Sequence, residues 1–229
     1  MKLSFLYLRT WLIIKRKQIL NLFPAKNNAF IKFAILCSPR SGSTWLHTLL
    51  NSHPHILSHG EILREYHEKN KTELPPLSSL VFHPHHSSIR AVGLKIFYEY
   101  ERDPAYKKSV QELITDPTIQ IIHLVRNDKQ AQFESLLRAQ KSQQWSSGKA
   151  VKKPTPVAIH PDELDHYQNE QAQAEKKISR LLRDHSMLTI HYETLRDDQH
   201  NTCRMILDFL NTQPRKLFSL LHRQSETFK

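Results

Sequence analysis

Along this chain, short apolar runs alternate with longer stretches in which apolar residues recur every three or four positions. Runs at 33–37, 92–97, 119–125 and 187–192 have the length and apolar content of buried strands. Trp45, Leu46, Leu49 and Leu50 carry helical spacing directly after the first run, and further helices are predicted at 103–115, 129–141, 161–184 and 194–210. Asn127-Asp128 supplies a cap for the helix at 129–141, and Pro161 suits the first turn of the long polar helix. Strands alternating with helices predict an α/β fold in three layers, with a central, mainly parallel sheet flanked by helices. Two stretches lack either period. Residues 64–90 are polar and rich in Pro and His, which predicts a loop or lid, and 142–158 read as a basic loop around Trp145.

Residues 1–23 are densely apolar, but Arg9 and Lys15-Arg16-Lys17 interrupt them, so the stretch is too short and too broken to span a bilayer. A secretory signal puts its positive charge before the apolar region, whereas here most of it comes after. Two readings stay open: a basic amphipathic helix on a membrane surface, or a helix packed on the domain. Pro24 closes the segment. The expected organisation is therefore a basic segment at 1–24 followed by one α/β domain at 25–229.

Charge narrows the partner. Lys and Arg number 33 against 22 Asp and Glu, a formal net charge of +11, which favours an anionic partner: a nucleotide, nucleic acid or a membrane surface. The two cysteines, Cys37 and Cys203, sit far apart inside a strand-like and a helix-like run, so no disulfide framework is indicated. A reducing, cytoplasmic setting follows, with peripheral membrane contact through 1–23 left open.

The chemistry gathers first at Ile35-Leu36-Cys37-Ser38-Pro39-Arg40-Ser41-Gly42-Ser43-Thr44-Trp45-Leu46, a strand, a tight turn and a helix start. A helix N-terminus offers unpaired N–H groups and a partial positive charge, so hydroxyls and an arginine here make a place for phosphate. The ATP loop pattern G-x-x-x-x-G-K-[ST], laid on Gly42 as its second glycine, puts Cys37 at the first glycine and Ser43 at the lysine; only Thr44 agrees. The third strand run ends in Arg126 where a Mg²⁺-holding acid would stand. A second cation beside the loop suits a nucleotide with an additional phosphate, bound in the crevice at the carboxyl ends of the strands.

Ser38 to Leu46 resembles the 5′-phosphosulfate loop of sulfotransferases that use 3′-phosphoadenosine 5′-phosphosulfate (PAPS), a P-loop-like fold. Leu124-Val125-Arg126-Asn127-Asp128-Lys129-Gln130-Ala131-Gln132-Phe133-Glu134-Ser135-Leu136 resembles their 3′-phosphate segment. The spelling R-x-D-K-x-x-Q-x-x-S with the downstream Gln144-Trp145 is similar to bacterial trehalose sulfotransferase-like and related carbohydrate sulfotransferases. His191-Tyr192-Glu193-Thr194-Leu195 also matches the superfamily. The resemblance implies that Arg40, Ser41, Gly42, Ser43, Thr44 and Trp45 hold the 5′-phosphosulfate and that Arg126 and Ser135 hold the 3′-phosphate. It implies PAPS as co-substrate without a metal, and an acceptor hydroxyl on a carbohydrate or glycolipid rather than on nucleic acid. Sulfuryl transfer passes through a loose, anionic transition state, so alignment and charge stabilisation are what the protein must supply. Arg40 gives that charge a fixed fork suited to oxyanions.

In similar sulfotransferases a glutamate after the first helix takes the acceptor proton, which makes Glu61, in Gly60-Glu61, the candidate base, with His59, His55 and His53 as alternatives. Lys95, at the end of the second strand run, aligns with a lysine that contacts the sulfate or acceptor in some relatives. The histidines at 53, 55, 59, 83, 85 and 86 lack the spacing of a zinc site. Trp145 could stack on adenine or a sugar, or anchor its loop. Lys149, Lys152 and Lys153 could draw in an anionic acceptor. A basic C-terminal segment usually closes over the nucleotide in this superfamily, and Arg215, Lys216, Arg223 and Gln224 are the material for it here. Two alternatives remain at this point, a P-loop kinase or NTPase and a non-catalytic nucleotide or polyanion binder. Acceptor identity and a homo-oligomeric state are both left open.

Overall fold

The structure is a computed structural model that describes residues 12–17, 19–20, 26–70, 73–143, 145, 156–219 and 221. The strands are β1 (Lys26–Asn27), β2 (Ile31–Cys37), β3 (Ile56–Ser58), β4 (His85–His86), β5 (Ala91–Phe97), β6 (Gln120–Val125) and β7 (Met187–His191). The helices are α1 (Ser43–Asn51), α2 (Ile62–Asn70), α3 (Leu77–Leu80), α4 (Lys107–Thr115), α5 (Lys129–Ser142), α6 (Pro161–Leu181), α7 (Tyr192–Asp197) and α8 (Gln199–Phe209). A five-stranded parallel sheet runs in the order β3-β5-β2-β6-β7, and β1 and β4 form a small antiparallel pair apart from it. This is the α/β fold expected, with a central parallel sheet and flanking helices. β2 and β5 are almost continuously buried, as strands covered on both faces must be, which is why their apolar runs show no alternation.

The chain leaves β2 toward β3 and β5 on one side, then crosses to β6 and β7 on the other. The reversal at β2 opens a crevice outside its carboxyl end, with β5 and β6 as the two walls. Phe33, Ile35, Leu36, Leu46, Leu49, Leu94 and Ile96, all fully buried, fill the core beneath it.

Four expectations need correction. Residues 64–90 are not a lid. They hold the end of α2, then α3 and β4, and Leu74, Leu77, Val81 and Ile89 are buried. Apolar periodicity could not show α2, because only Leu63 of its residues is buried and Arg64 pairs with Glu61 and Glu68 instead. The edge strand β3 escaped notice because only three residues pair, Ile56 opposite Ala91 being the first. The helix expected from 103 begins at Lys107, since Asp103 accepts from the Ala105 N–H in a turn before it. The helix expected at 194–210 is two, because Asp198 accepts from Asn201 N at 3.2 Å and caps a new start for α8. Cys37 and Cys203 are free and buried, and burial pushes their thiols up to about 11 and about 12.

The division at 24 falls largely on residues outside those described. Residues 12–17 are helical. Among the described residues no helix is long and apolar enough to cross a membrane.

Candidate active site

β2 delivers the loop at 38–42 to the centre of the crevice. Two residues there hold left-handed backbone, Arg40 at φ 61° and Gly42 at φ 89°. Gly42 needs its missing side chain twice over: a Cβ would sit 2.5 Å from Tyr192 Cδ2, and the φ itself strains any L residue. The turn aims the first N–H groups of α1, which have no partner within the helix, at the crevice. Ser41 Oγ is buried there without a hydrogen-bond partner.

On the β6 wall, Arg40 and Arg126 interlock. Arg40 Nε donates to Ser135 Oγ at 2.9 Å and Nη1 to the Trp145 carbonyl at 2.6 Å. Arg126, just past β6, donates from Nη1 to the Arg40 carbonyl at 3.1 Å and lies over the Tyr192 ring at 4.8 Å, while its Nε is buried and unpartnered. Burial, and after it the Arg126 charge, disfavour the charged form of Arg40. Two side chains brace this wall. Gln132, fully buried on α5, donates from Nε2 to Ser38 Oγ (2.6 Å) and to the Pro39 carbonyl (2.7 Å). The Glu193 carboxylate accepts from the N–H groups of Asn127 (3.1 Å) and Asp128 (3.2 Å).

On the β5 wall the grouping is tighter and drier. Lys95 lies within β5 opposite Ile35, two residues before the strand ends, and is 2% exposed. A buried lysine requires a partner. Its Nζ donates to Glu61 Oε1 at 2.7 Å and to Thr44 Oγ1 at 3.2 Å. Arg64 Nη2 lies 2.8 Å from Glu61 Oε2, so both carboxylate oxygens face a cation. Gly60 places Glu61 there: its carbonyl accepts from Lys95 N at 2.8 Å, and its φ of 62° turns the chain against the His47 ring. His47 bonds Ser58 Oγ through Nδ1 at 2.8 Å, and burial, then the Lys95 charge, lowers it to about 4.

Arg40, Arg126 and Ser135 thus meet on one wall, and Thr44, Lys95 and Glu61 on the other. Trp45 is turned to Tyr192, ring centroids 6.3 Å apart, and helps seat the loop. Of the alternative bases, His59 follows β3 on the Glu61 side, and burial lowers it to about 4. His53 and His55 precede β3, at the far edge of the sheet, and bond the carbonyls of Gln213 and Ser88. Trp145 is exposed, and its backbone carbonyl accepts from Arg40. Lys149, Lys152, Lys153, Arg223 and Gln224 lie outside the described residues. Gln132, Arg64 and His47 received no role from sequence. Gln132 alone carried a signal, as the Gln of the R-x-D-K-x-x-Q-x-x-S spelling.

Comparison with known proteins fits this arrangement. A family model described as "Sulfotransferase family" matches residues 82–214, more than half of the chain. The chain belongs to the sulfotransferase family. Among curated relatives, Nodulation protein H of Rhizobium meliloti (strain 1021) is 27% identical over 207 residues, 84% of this chain and 83% of that protein. Nodulation protein H of Rhizobium tropici is 29% identical over 177 residues, 71% of this chain and 68% of that one. A solved sulfotransferase from Alicyclobacillus acidocaldarius shares the fold, with a TM-score of 0.54 over 88% of this chain and 87% of its own at 13% identity. Transfer of a sulfuryl group is the activity this sulfotransferase membership brings. The model's match takes in Arg126, Ser135 and Tyr192 but begins beyond the loop at 38–42 and beyond Glu61.

Proposed function

We propose that this sulfotransferase moves a sulfuryl group from PAPS to a hydroxyl of a carbohydrate or glycolipid. The observation that carries the reading is the split of the crevice into an arginine wall and a lysine–carboxylate wall around one phosphate-type loop. Arg126 and Ser135 are the groups for the 3′-phosphate. The N–H groups and hydroxyls of Ser41 to Thr44, with Arg40, are those for the 5′-phosphosulfate. The residues fit a doubly anionic nucleotide: Ser41 Oγ and Arg126 Nε are buried without partners, and such groups are costly unless something meets them. PAPS brings the activated sulfuryl group with a leaving phosphate, and every other part of the chemistry falls to side chains. Lys95, between Thr44 and Glu61, is placed to stabilise charge growing at the transferring group. Glu61 is the base that takes the acceptor proton as the hydroxyl attacks. The carbohydrate class rests on the resemblance of the 126–135 segment and of Gln144-Trp145.

Calorimetric titration with 3′-phosphoadenosine 5′-phosphate, beside transfer assays on a panel of sugars, tests the proposal. The intact protein is expected to bind this nucleotide and to prefer it over ATP. Glu61→Gln should keep that affinity while transfer falls by about 10²–10⁴-fold, the range for loss of a general base. No binding by the intact protein would overturn the donor, and unchanged turnover in Glu61→Gln would remove Glu61 as the base.

A further inference from the structure

Among the helical residues 12–17, Ile13 is half-buried in the ordinary way, but the most buried side chain is a charged one. Lys17 is the buried member, 3% exposed, with its ammonium donating to the carbonyls of Asn51 (2.8 Å) and Ile56 (2.5 Å). Leu12, Ile14 and Ile19 are 51%, 41% and 53% exposed. A helix packed on a domain by the ordinary rule turns its apolar side inward and its lysines to water. Here one lysine serves as the pin, set at the carbonyl end of α1, where the helix dipole favours a cation. Burial lowers its pKa to about 7, the cost of using a lysine in this way. The pin fixes which side faces out. Leu12 and Ile19 stand seven positions apart, a spacing that brings residues to one side of a helix. Lys15 and Arg16, both exposed, lie between them in sequence at positions that flank that side.

An outward apolar stripe with cations on both flanks, on a protein of net charge +11, matches the interface of an anionic bilayer: apolar side chains enter the acyl boundary and cations meet the headgroups. We infer that the helical N-terminal residues, through Leu12, Lys15, Arg16 and Ile19, dock this enzyme on the surface of an anionic membrane. A second copy of the chain is the competing occupant. It would have to bring acidic residues to Lys15 and Arg16, and cations outnumber acids across this protein by 33 to 22.

Co-sedimentation of the full chain with vesicles of phosphatidylcholine and phosphatidylglycerol tests this apart from any assay of transfer. The protein should pellet with the anionic vesicles and stay in the supernatant with pure phosphatidylcholine. Leu12→Glu/Ile19→Glu should weaken partitioning about a hundredfold, tenfold for each apolar side chain withheld. Lys15→Gln/Arg16→Gln should weaken it about twentyfold, near fivefold per charge. All four positions are exposed, so unchanged far-ultraviolet circular dichroism is expected for both variants. Failure of the intact protein to pellet, or equal pelleting of Leu12→Glu/Ile19→Glu, would overturn the inference. So would a dimer in sedimentation velocity that this variant dissolves, because the stripe would then be a contact between copies.

Discussion

The two walls of the crevice hold the same kinds of groups, cations with hydroxyls beside them, yet they are built differently. On the β6 side, Arg40 and Arg126 reach backbone carbonyls and a serine, neutral groups that hold the guanidinium planes in place beside the loop. On the β5 side, Lys95 is buried and already neutralised by Glu61, which Arg64 also holds. Two arginines held by neutral groups make a clamp for a ligand that brings its own charge. A buried, neutralised pair makes a site where charge matters only when it moves, because a low dielectric strengthens each interaction. One wall is therefore expected to govern affinity and the other turnover.

Lys95→Met cuts deepest into this contrast. It should lower kcat about 10²–10³-fold, as loss of one preorganised donor does. It should also cost about 3 kcal/mol of stability, the low end for orphaning a buried charge, since Arg64 still holds Glu61. Steady-state kinetics and urea unfolding check the two effects, and an unaltered kcat would make Lys95 a purely structural residue. Arg126→Ala should do the reverse. It removes a charged hydrogen-bond donor worth about 1.5–3 kcal/mol, so nucleotide affinity should fall roughly 10- to 150-fold by calorimetry with kcat at saturation little changed. If Arg126→Ala lowered kcat and spared affinity, the roles of the walls would have to be exchanged.

Gly42 stands between the walls and should affect both. Gly42→Ala forces a left-handed alanine, at about 1–2 kcal/mol, and drives its methyl into the Tyr192 ring that carries Arg126. Thermal unfolding should show that loss, and Tyr192→Leu in the same chain should recover part of it. Full stability in Gly42→Ala would mean that the loop is not held as described.

The arginine wall was legible in the sequence, and the other wall only in part, for a physical reason. Arg40 lies in the turn after β2, Arg126 just past β6, and Ser135 nearly two turns into α5, each within a stretch whose spelling carries its own meaning. The β5 wall depends on register. Lys95 meets Glu61 because residues 59–60 continue the pairing of β3 with β5, with His59 N on the Gly93 carbonyl and Lys95 N on the Gly60 carbonyl. Nothing in residues 56–61 announces that pairing. Arg64 was hidden with α2, whose helix is sustained by ion pairs rather than by an apolar stripe. β2, β5 and β6 could be read because burial on both faces forces unbroken apolar runs. The edge strand β7, with Ile190 its one buried residue, could be read from its apolar content alone, and three-residue β3 was too short to form a run.

Acid should act on both sides of the sheet, on β6 through His123, which burial also holds near 4, and on the β5 wall through two further rings. His47 and His59 lie on the Glu61 side and are held near 4, below the ordinary 6.5, by burial first and then by Lys95 for His47 and by His85 for His59. Both are therefore neutral in the folded protein at pH values where the unfolded chain binds a proton. Their contribution to stability is complete above about pH 6.5 and is lost as pH falls toward 4. Each adds a slope of up to about 1.4 kcal/mol per pH unit in that window. Urea unfolding at successive pH values should show the decline, and His47→Asn and His59→Asn should each flatten it. Arg126→Ala should leave the slope as it is, because a guanidinium does not titrate there. A slope untouched by either histidine variant would mean that neither ring is held neutral on the β5 side.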